Sequence, residues 1–110
     1  MCIFCKIISG EIKSEKLYED NDCIVIKDIN PIAKNHYLLI PKTHYPFLSE
    51  LNGARAAELA NCFLKLDKFI PLFGLENGYR LIINQGDDAG QTVPHIHIHI
   101  LAGNKLNWDA

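Results

Sequence analysis

Apolar residues fall into short blocks separated by polar, glycine or proline breaks. Residues 3–8 are mostly apolar and run into Ser9-Gly10, which predicts one or two helical turns with a glycine stop. Residues 17–19 and Cys23–Lys27 are β-prone runs around Asp20-Asn21-Asp22, a turn signal. In the second run both the odd and the even positions are apolar, so the strand is expected to be buried on both faces. It ends at Asp28-Ile29-Asn30-Pro31, because Pro31 has no N–H and restricts Asn30. Residues 36–40 predict another strand, stopped by Pro41. Leu59, Cys62, Phe63, Leu66, Phe69 and Ile70 recur every three or four residues, the stripe of one long helix. Asn52 or Ser49 would cap its start, and Pro71 and Gly74 lie near its end. After the turn Asn77-Gly78 come a strand over 80–84, a polar loop over 85–92 and a last strand over 95–101. The prediction is an α+β fold, a five-stranded antiparallel sheet with one long and one short helix, in a single domain over 1–110.

Composition narrows this reading. The 110 residues are 48% hydrophobic and 22% charged, ordinary values for a globular chain. One domain is the expectation at this length. The formal net charge is −2, so bulk charge offers nothing to a nucleic-acid backbone, and no nucleic-acid partner is expected. The apolar runs are far shorter than the roughly 20 residues of a membrane span. The first residues also lack the basic and long apolar regions of a secretory signal. A cytoplasmic, reducing setting is expected, where cysteines serve as thiols or metal ligands.

The sharpest feature is Pro94-His95-Ile96-His97-Ile98-His99-Ile100. Strand side chains alternate between faces, so three isoleucines enter the core and three imidazoles line the other face. One metal ion held by all three is disfavoured, because His95 and His99 are about 13 Å apart along a strand. The other reading is catalytic, with one imidazole as nucleophile or base and its neighbours assisting. The preceding loop has free N–H groups, the side chains of Gln91 and Thr92, and Gly90 for close backbone approach; such a loop suits phosphate oxygens.

This run, with Gly90-Gln91-Thr92-Val93 before it, resembles the signature of the histidine triad nucleotide-binding proteins. The likeness covers nearly the whole chain. Ile3-Phe4 with Lys6-Ile7-Ile8 resembles the family's opening helix. Asp28-Ile29, Pro31 and the stretch from His36 to His44 resemble its second characteristic segment, and Gly78 to Asn84 its third. Asn35 departs from the pattern, where many members carry glycine. The resemblance implies hydrolysis at the α-phosphate of purine nucleoside phosphoramidates or dinucleoside polyphosphates, releasing AMP or GMP. His97 would attack phosphorus and form a nucleotidyl-histidine that water then opens. His99 would contact phosphate or leaving group, with His36 behind the row and His95 completing the triad. Gln91, Thr92 and Asn84 would bind phosphate, beside Gly90 and Val93, and Asp28 would bind the ribose hydroxyls. Ile3, Phe4, Ile7 and Ile26 would form the slot for the base. The resemblance also implies a homodimer whose two sheets join into one of ten strands. Trp108 would then reach the partner's active-site region.

Cys2-x-x-Cys5 alone is ambiguous. With His44 and His95 it supplies two sulfurs and two nitrogens, a donor set for tetrahedral zinc, and some histidine triad proteins carry zinc at these positions. Such zinc would be structural and would pin the end of the nucleophile's strand. Cys23 and Cys62 lie in apolar patterns and are expected in the core. A purine-nucleotide-binding regulatory or scaffolding protein with little catalysis is the alternative function.

Overall fold

The computed structural model describes residues 2–108. Helix α1 (Ile3–Ser9) opens the chain and ends at Gly10, whose φ of 83° is the left-handed stop. Strands β1 (Tyr18–Glu19), β2 (Cys23–Lys27), β3 (Asn35–Pro41), β4 (Tyr79–Ile82) and β5 (Ile98–Ala102) form one antiparallel sheet in the order β1-β2-β3-β5-β4. Between β3 and β4 lie α2 (Gly53–Leu64) and α3 (Leu66–Phe73).

The long helix expected from periodicity is thus interrupted at Lys65. Asn52 caps its start through a bond from the Arg55 N–H, as one of the two expected caps. The apolar stripe continues across the joint, with Leu59, Cys62, Phe69 and Phe73 all buried. Lys65 turns its ammonium to Asp20 at 2.7 Å and Asp22 at 2.9 Å, tying the joint to the β1–β2 turn. Despite the desolvation that opposes it, bonds from Lys65 and Tyr18 hold the Asp20 carboxyl below the usual carboxylate range.

Strand alternation divides the core into two layers. Cys23, Val25, Leu39, Ile98, Ile100 and Ala102 face α2 and α3. Ile24, Ile26, Leu38 and Ile40 face the other way and pack with Phe4 and Ile7 of α1. The strand expected over 95–101 is paired only from Ile98. Before it, Ile96 N–H bonds to the Tyr45 carbonyl and His95 N–H to that of Val93, so 95–97 is extended chain outside the ladder. The strand expected over 80–84 likewise ends at Ile82. Asn35, the departure noted above, explains one glycine. A Cβ on Gly103 would stand 2.8 Å from the Asn35 amide, and φ there is +93°. The polar loop contains a single 3-10 turn, Asp87–Ala89, closed by Gly90 at φ 82°.

Candidate active site

The α1 side of the sheet carries the candidate residues. Antiparallel register sets His36 opposite Leu101 and Leu38 opposite His99, so His36 and His99 are diagonal neighbours on one face. Their rings meet at 2.9 Å, His36 Nε2 to His99 Nδ1. Backbone partners then fix the protons. The Ile32 N–H donates to His36 Nδ1, so the proton of that neutral ring sits on Nε2 and is given to His99 Nδ1. His99 therefore carries its own proton on Nε2.

His97 is fixed independently. Its Nδ1 lies 2.7 Å from the His95 carbonyl, which only accepts, so Nδ1 holds the proton and Nε2 is a bare lone pair. Phe4 packs edge-on against the ring at 5.0 Å. His95 is tied the same way, Nε2–H to the Pro41 carbonyl at 2.7 Å, which leaves Nδ1 free. That nitrogen faces the N-terminal cysteines. It stands 3.4 Å from Cys2 Sγ, 3.6 Å from Cys5 Sγ and 3.2 Å from His44 Nδ1. His44 Nδ1 is 3.5 and 3.3 Å from the same two sulfurs, which are 3.2 Å apart. Tetrahedral zinc, with bonds of about 2.3 Å to sulfur and 2.0 Å to nitrogen, sets ligand separations of about 3.3–3.8 Å. Four donor atoms 3.2–3.6 Å apart, close to this range, with the His95 lone pair turned inward, suit that ion. Asp28, His36 and His99 also converge. There the Ile32 N–H occupies His36 Nδ1, which keeps Nε2 protonated, so that cluster is a hydrogen-bond relay.

A cavity of about 360 Å³ lies before His97 and His99. Asp28, Asn84, Gly90, Thr92 and Val93 border it, and Ile3, Phe4, Ile7 and Ile26 form an apolar end. These are expected site residues, brought together from α1, β2, the ends of β4 and β5, and the polar loop. The Asn84 and Thr92 side chains make no hydrogen bond among the described residues and face the cavity free. Two expected residues are placed differently. Gln91 is spent on its own loop: its Oε1 accepts from Gly86 N–H, and its Nε2 donates to the Pro46 and Val93 carbonyls. It fastens the loop and does not line the cavity. His95 holds the His97 ring through its carbonyl and turns its own ring to Cys2, Cys5 and His44, and it does not line the cavity. His36 stands behind His99, as expected. The sequence reading missed Ser14, Lys27, Ile29 and Leu38 on the cavity wall. Leu38 had a signal, since it shares the face of His36 two residues on.

Burial holds the His99 imidazole well below its ordinary value, at about 4, with His97 and His36 adding to the effect and Asp28 opposing it. Burial also lowers His36, again against Asp28. Both rings bind a proton more readily in the unfolded chain, whose histidines titrate near 6.5. Their contribution to stability is therefore complete above about pH 6.5 and is lost as the pH falls toward 4. Thermal midpoints should decline across that window, and His99→Gln should flatten the decline. Parallel pH curves for wild type and variant would refute this account.

Fold and site together define a class: a small α+β domain presenting a buried imidazole with a bare Nε2 lone pair, a hydrogen-bonded imidazole relay and an apolar slot on one sheet face. Residues 9–106 match the HIT domain family model, and the chain belongs to that family. Its structure is similar to that of a HIT family hydrolase from Legionella pneumophila Philadelphia 1. That match has 39% identity and a TM-score of 0.91, and covers 98% of this chain and 97% of the other. It is also similar to a histidine triad nucleotide-binding protein from Candida albicans, with 34% identity, a TM-score of 0.82, and coverage of 100% and 84%. A zinc-bound histidine triad family protein from Mycobacterium smegmatis matches at 36% identity and TM-score 0.78, with coverage of 97% and 80%. The hydrolase and nucleotide-binding fold of the family is thus the fold of this chain.

Proposed function

We propose that the protein hydrolyses purine nucleotides at the α-phosphate, acting on nucleoside phosphoramidates or dinucleoside polyphosphates through a nucleotidyl-His97 intermediate and releasing AMP or GMP. The observation that carries this reading is the His97 ring, whose Nδ1–H is held by the His95 carbonyl so that Nε2 is a preset nucleophile on the cavity wall. The base lies in the slot of Ile3, Phe4, Ile7 and Ile26, and Asp28 accepts from the ribose hydroxyls. Asn84, Thr92 and the loop N–H groups near Gly90 and Val93 hold phosphate oxygens. In the first half-reaction the bond from Nε2 to phosphorus forms and the leaving atom departs with its electron pair, taking up one proton. His99 addresses that atom through Nε2–H. In the second half, water adds hydroxyl to phosphorus, the bond to His97 breaks, and one proton is returned. Release of AMP from adenosine phosphoramidate, followed by chromatography, tests the reading. Tight AMP binding with no turnover would favour a binding protein instead.

Cys2, Cys5, His44 and His95 hold a structural zinc in this reading, supported by the donor geometry and the zinc-bound relative. The ion supplies a rigid anchor; His95 does the positioning. No helix among the described residues is long and apolar enough to cross a membrane, and we place the protein in the cytoplasm.

A homodimer completes the proposal. Strand β4 ends the sheet with an unpaired edge, and edges of this kind are usually covered. Leu64 on α2, Leu72 on α3 and Tyr79 on β4 are exposed, and Trp108 is 95% exposed, unsupported by its own protomer. Pairing of β4 edges would give a ten-stranded sheet with the helices at the interface. Light scattering during gel filtration should give twice the chain mass; a value near 12.4 kDa would remove the dimer. The last two residues of the tail, 109–110, lie outside the described residues.

A further inference from the structure

The polar loop runs from Asn84 to Thr92, both on the cavity wall. It has little packing of its own. Its 3-10 turn, Asp87–Ala89, contains no buried residue, and Gly86 and Gly90 on either side hold positive φ. A segment of this kind keeps one shape only where bonds from outside fix it. Two glutamine side chains make such bonds, and both reach the same stretch of chain. Near the loop's end, Gln91 Nε2 donates to the Pro46 carbonyl at 2.8 Å. At its root, Gln85 Oε1 accepts from the Leu48 N–H at 2.6 Å, while Gln85 Nε2 donates to the Asn84 carbonyl at 3.0 Å. The two partners of Gln85 are one donor and one acceptor. An amide answers both; a carboxylate lacks the donor and an ammonium the acceptor.

The stretch that receives these bonds is itself anchored on α2. The Glu58 carboxylate accepts from the Thr43 N–H at 3.2 Å and from the Thr43 hydroxyl at 2.8 Å. One turn earlier on the same helical face, Arg55 lies over the Tyr45 ring at 5.0 Å and donates to the Glu50 carbonyl at 2.6 Å. Tyr45 is buried, and its carbonyl accepts from the Ile96 N–H at 2.8 Å, one residue before His97. Residues 43–50 thus form a bracket on α2. The histidine segment hangs from it at Tyr45, and the polar loop at Pro46 and Leu48.

We propose that Gln85 is a positioning residue for the phosphate of the bound nucleotide, acting through the bond that joins the loop root to this bracket. The step rests on the reading of the loop and Asn84 as the phosphate site. Gln85 does not line the cavity. It sets where the Asn84 side chain and the backbone from Gly86 to Gly90 stand. The apolar slot is built separately, from Ile3, Phe4 and Ile7 at α1 and Ile26 on β2. Loss of Gln85 therefore weakens the grip on phosphate and spares the grip on the base.

Calorimetry on the purified full chain tests this with AMP and adenosine, two ligands that differ by the phosphate alone. Wild type should bind AMP more tightly than adenosine. Gln85→Met keeps the length of the side chain and removes both bonds. It should weaken AMP binding by about five- to tenfold, the scale of one or two lost hydrogen bonds, and adenosine binding by less than about twofold. Gln85→Ala should behave in the same way, with thermal midpoints reporting separately that both variants are folded. A ratio of AMP to adenosine affinity that neither substitution moves would overturn the proposal. So would an equal loss for both ligands, the result of a general loosening of the site. Wild-type protein that binds AMP no better than adenosine would overturn the phosphate reading of the loop itself, an outcome visible before any variant is made.

Discussion

His97→Ala should lower turnover by about three orders of magnitude or more, the scale at which covalent catalysis is lost with its nucleophile. AMP affinity should change only a few-fold, because the groups that hold the nucleotide come from elsewhere: the slot from α1 and β2, Asp28 from the end of β2, and the loop from Gly90 to Val93. Two measurements separate the effects, single-turnover AMP release and calorimetric AMP binding. His97→Gly with added imidazole should regain part of the activity, since the vacated space accepts the missing ring and the His95 carbonyl is still there to hold its N–H. Near-normal turnover by His97→Ala would refute the assignment of the nucleophile. Loss of AMP binding in proportion to turnover would show instead that the ring mainly shapes the cavity, where Phe4 leans on it at 5.0 Å.

Alternation along one strand made the central feature legible. Ile96, Ile98 and Ile100 are wholly buried, and their parity alone sends the three histidines to the opposite face. What each imidazole does there was not legible from spacing. The three rings are set differently: the Pro41 carbonyl holds Nε2–H of His95, the His95 carbonyl holds Nδ1–H of His97, and Nδ1 of His99 accepts from His36. Those partners are set by strand register and by an extended stretch outside the ladder. Gln91 shows the same limit. Its place in a glycine-bearing loop suggests phosphate contact, whereas Pro46, 45 residues away in sequence, takes its amide. The joint at Lys65 is hidden for a related reason. A periodic apolar stripe runs straight through it, and the lysine's partner Asp22 lies 43 residues away.

Metal removal should produce the second large effect, on stability first and catalysis second. Cys2 and Cys5 belong to the start of α1, His44 to the segment after β3, and His95 to the segment before β5. One ion would join three parts of the chain that are far apart in sequence. Structural zinc is worth several kcal/mol of folding free energy, and for a domain of this size each kcal/mol moves the thermal midpoint by about 4–8 °C. Cys5→Ser, or chelation of the protein as purified, should therefore lower the midpoint by at least about 10 °C. Elemental analysis should give about one zinc per chain before chelation and none after. Turnover at moderate temperature should fall less than with His97→Ala, because His95 keeps its bond to the Pro41 carbonyl and still offers its own carbonyl to His97. AMP affinity should weaken, since α1 carries Phe4 and Ile7 of the base slot and loses its tether. Protein that contains no metal, with both thiols freely titratable in the folded state and a midpoint unmoved by chelator, would reject the site. It would leave the close approach of Cys2 and Cys5 to two imidazoles as a feature of packing alone.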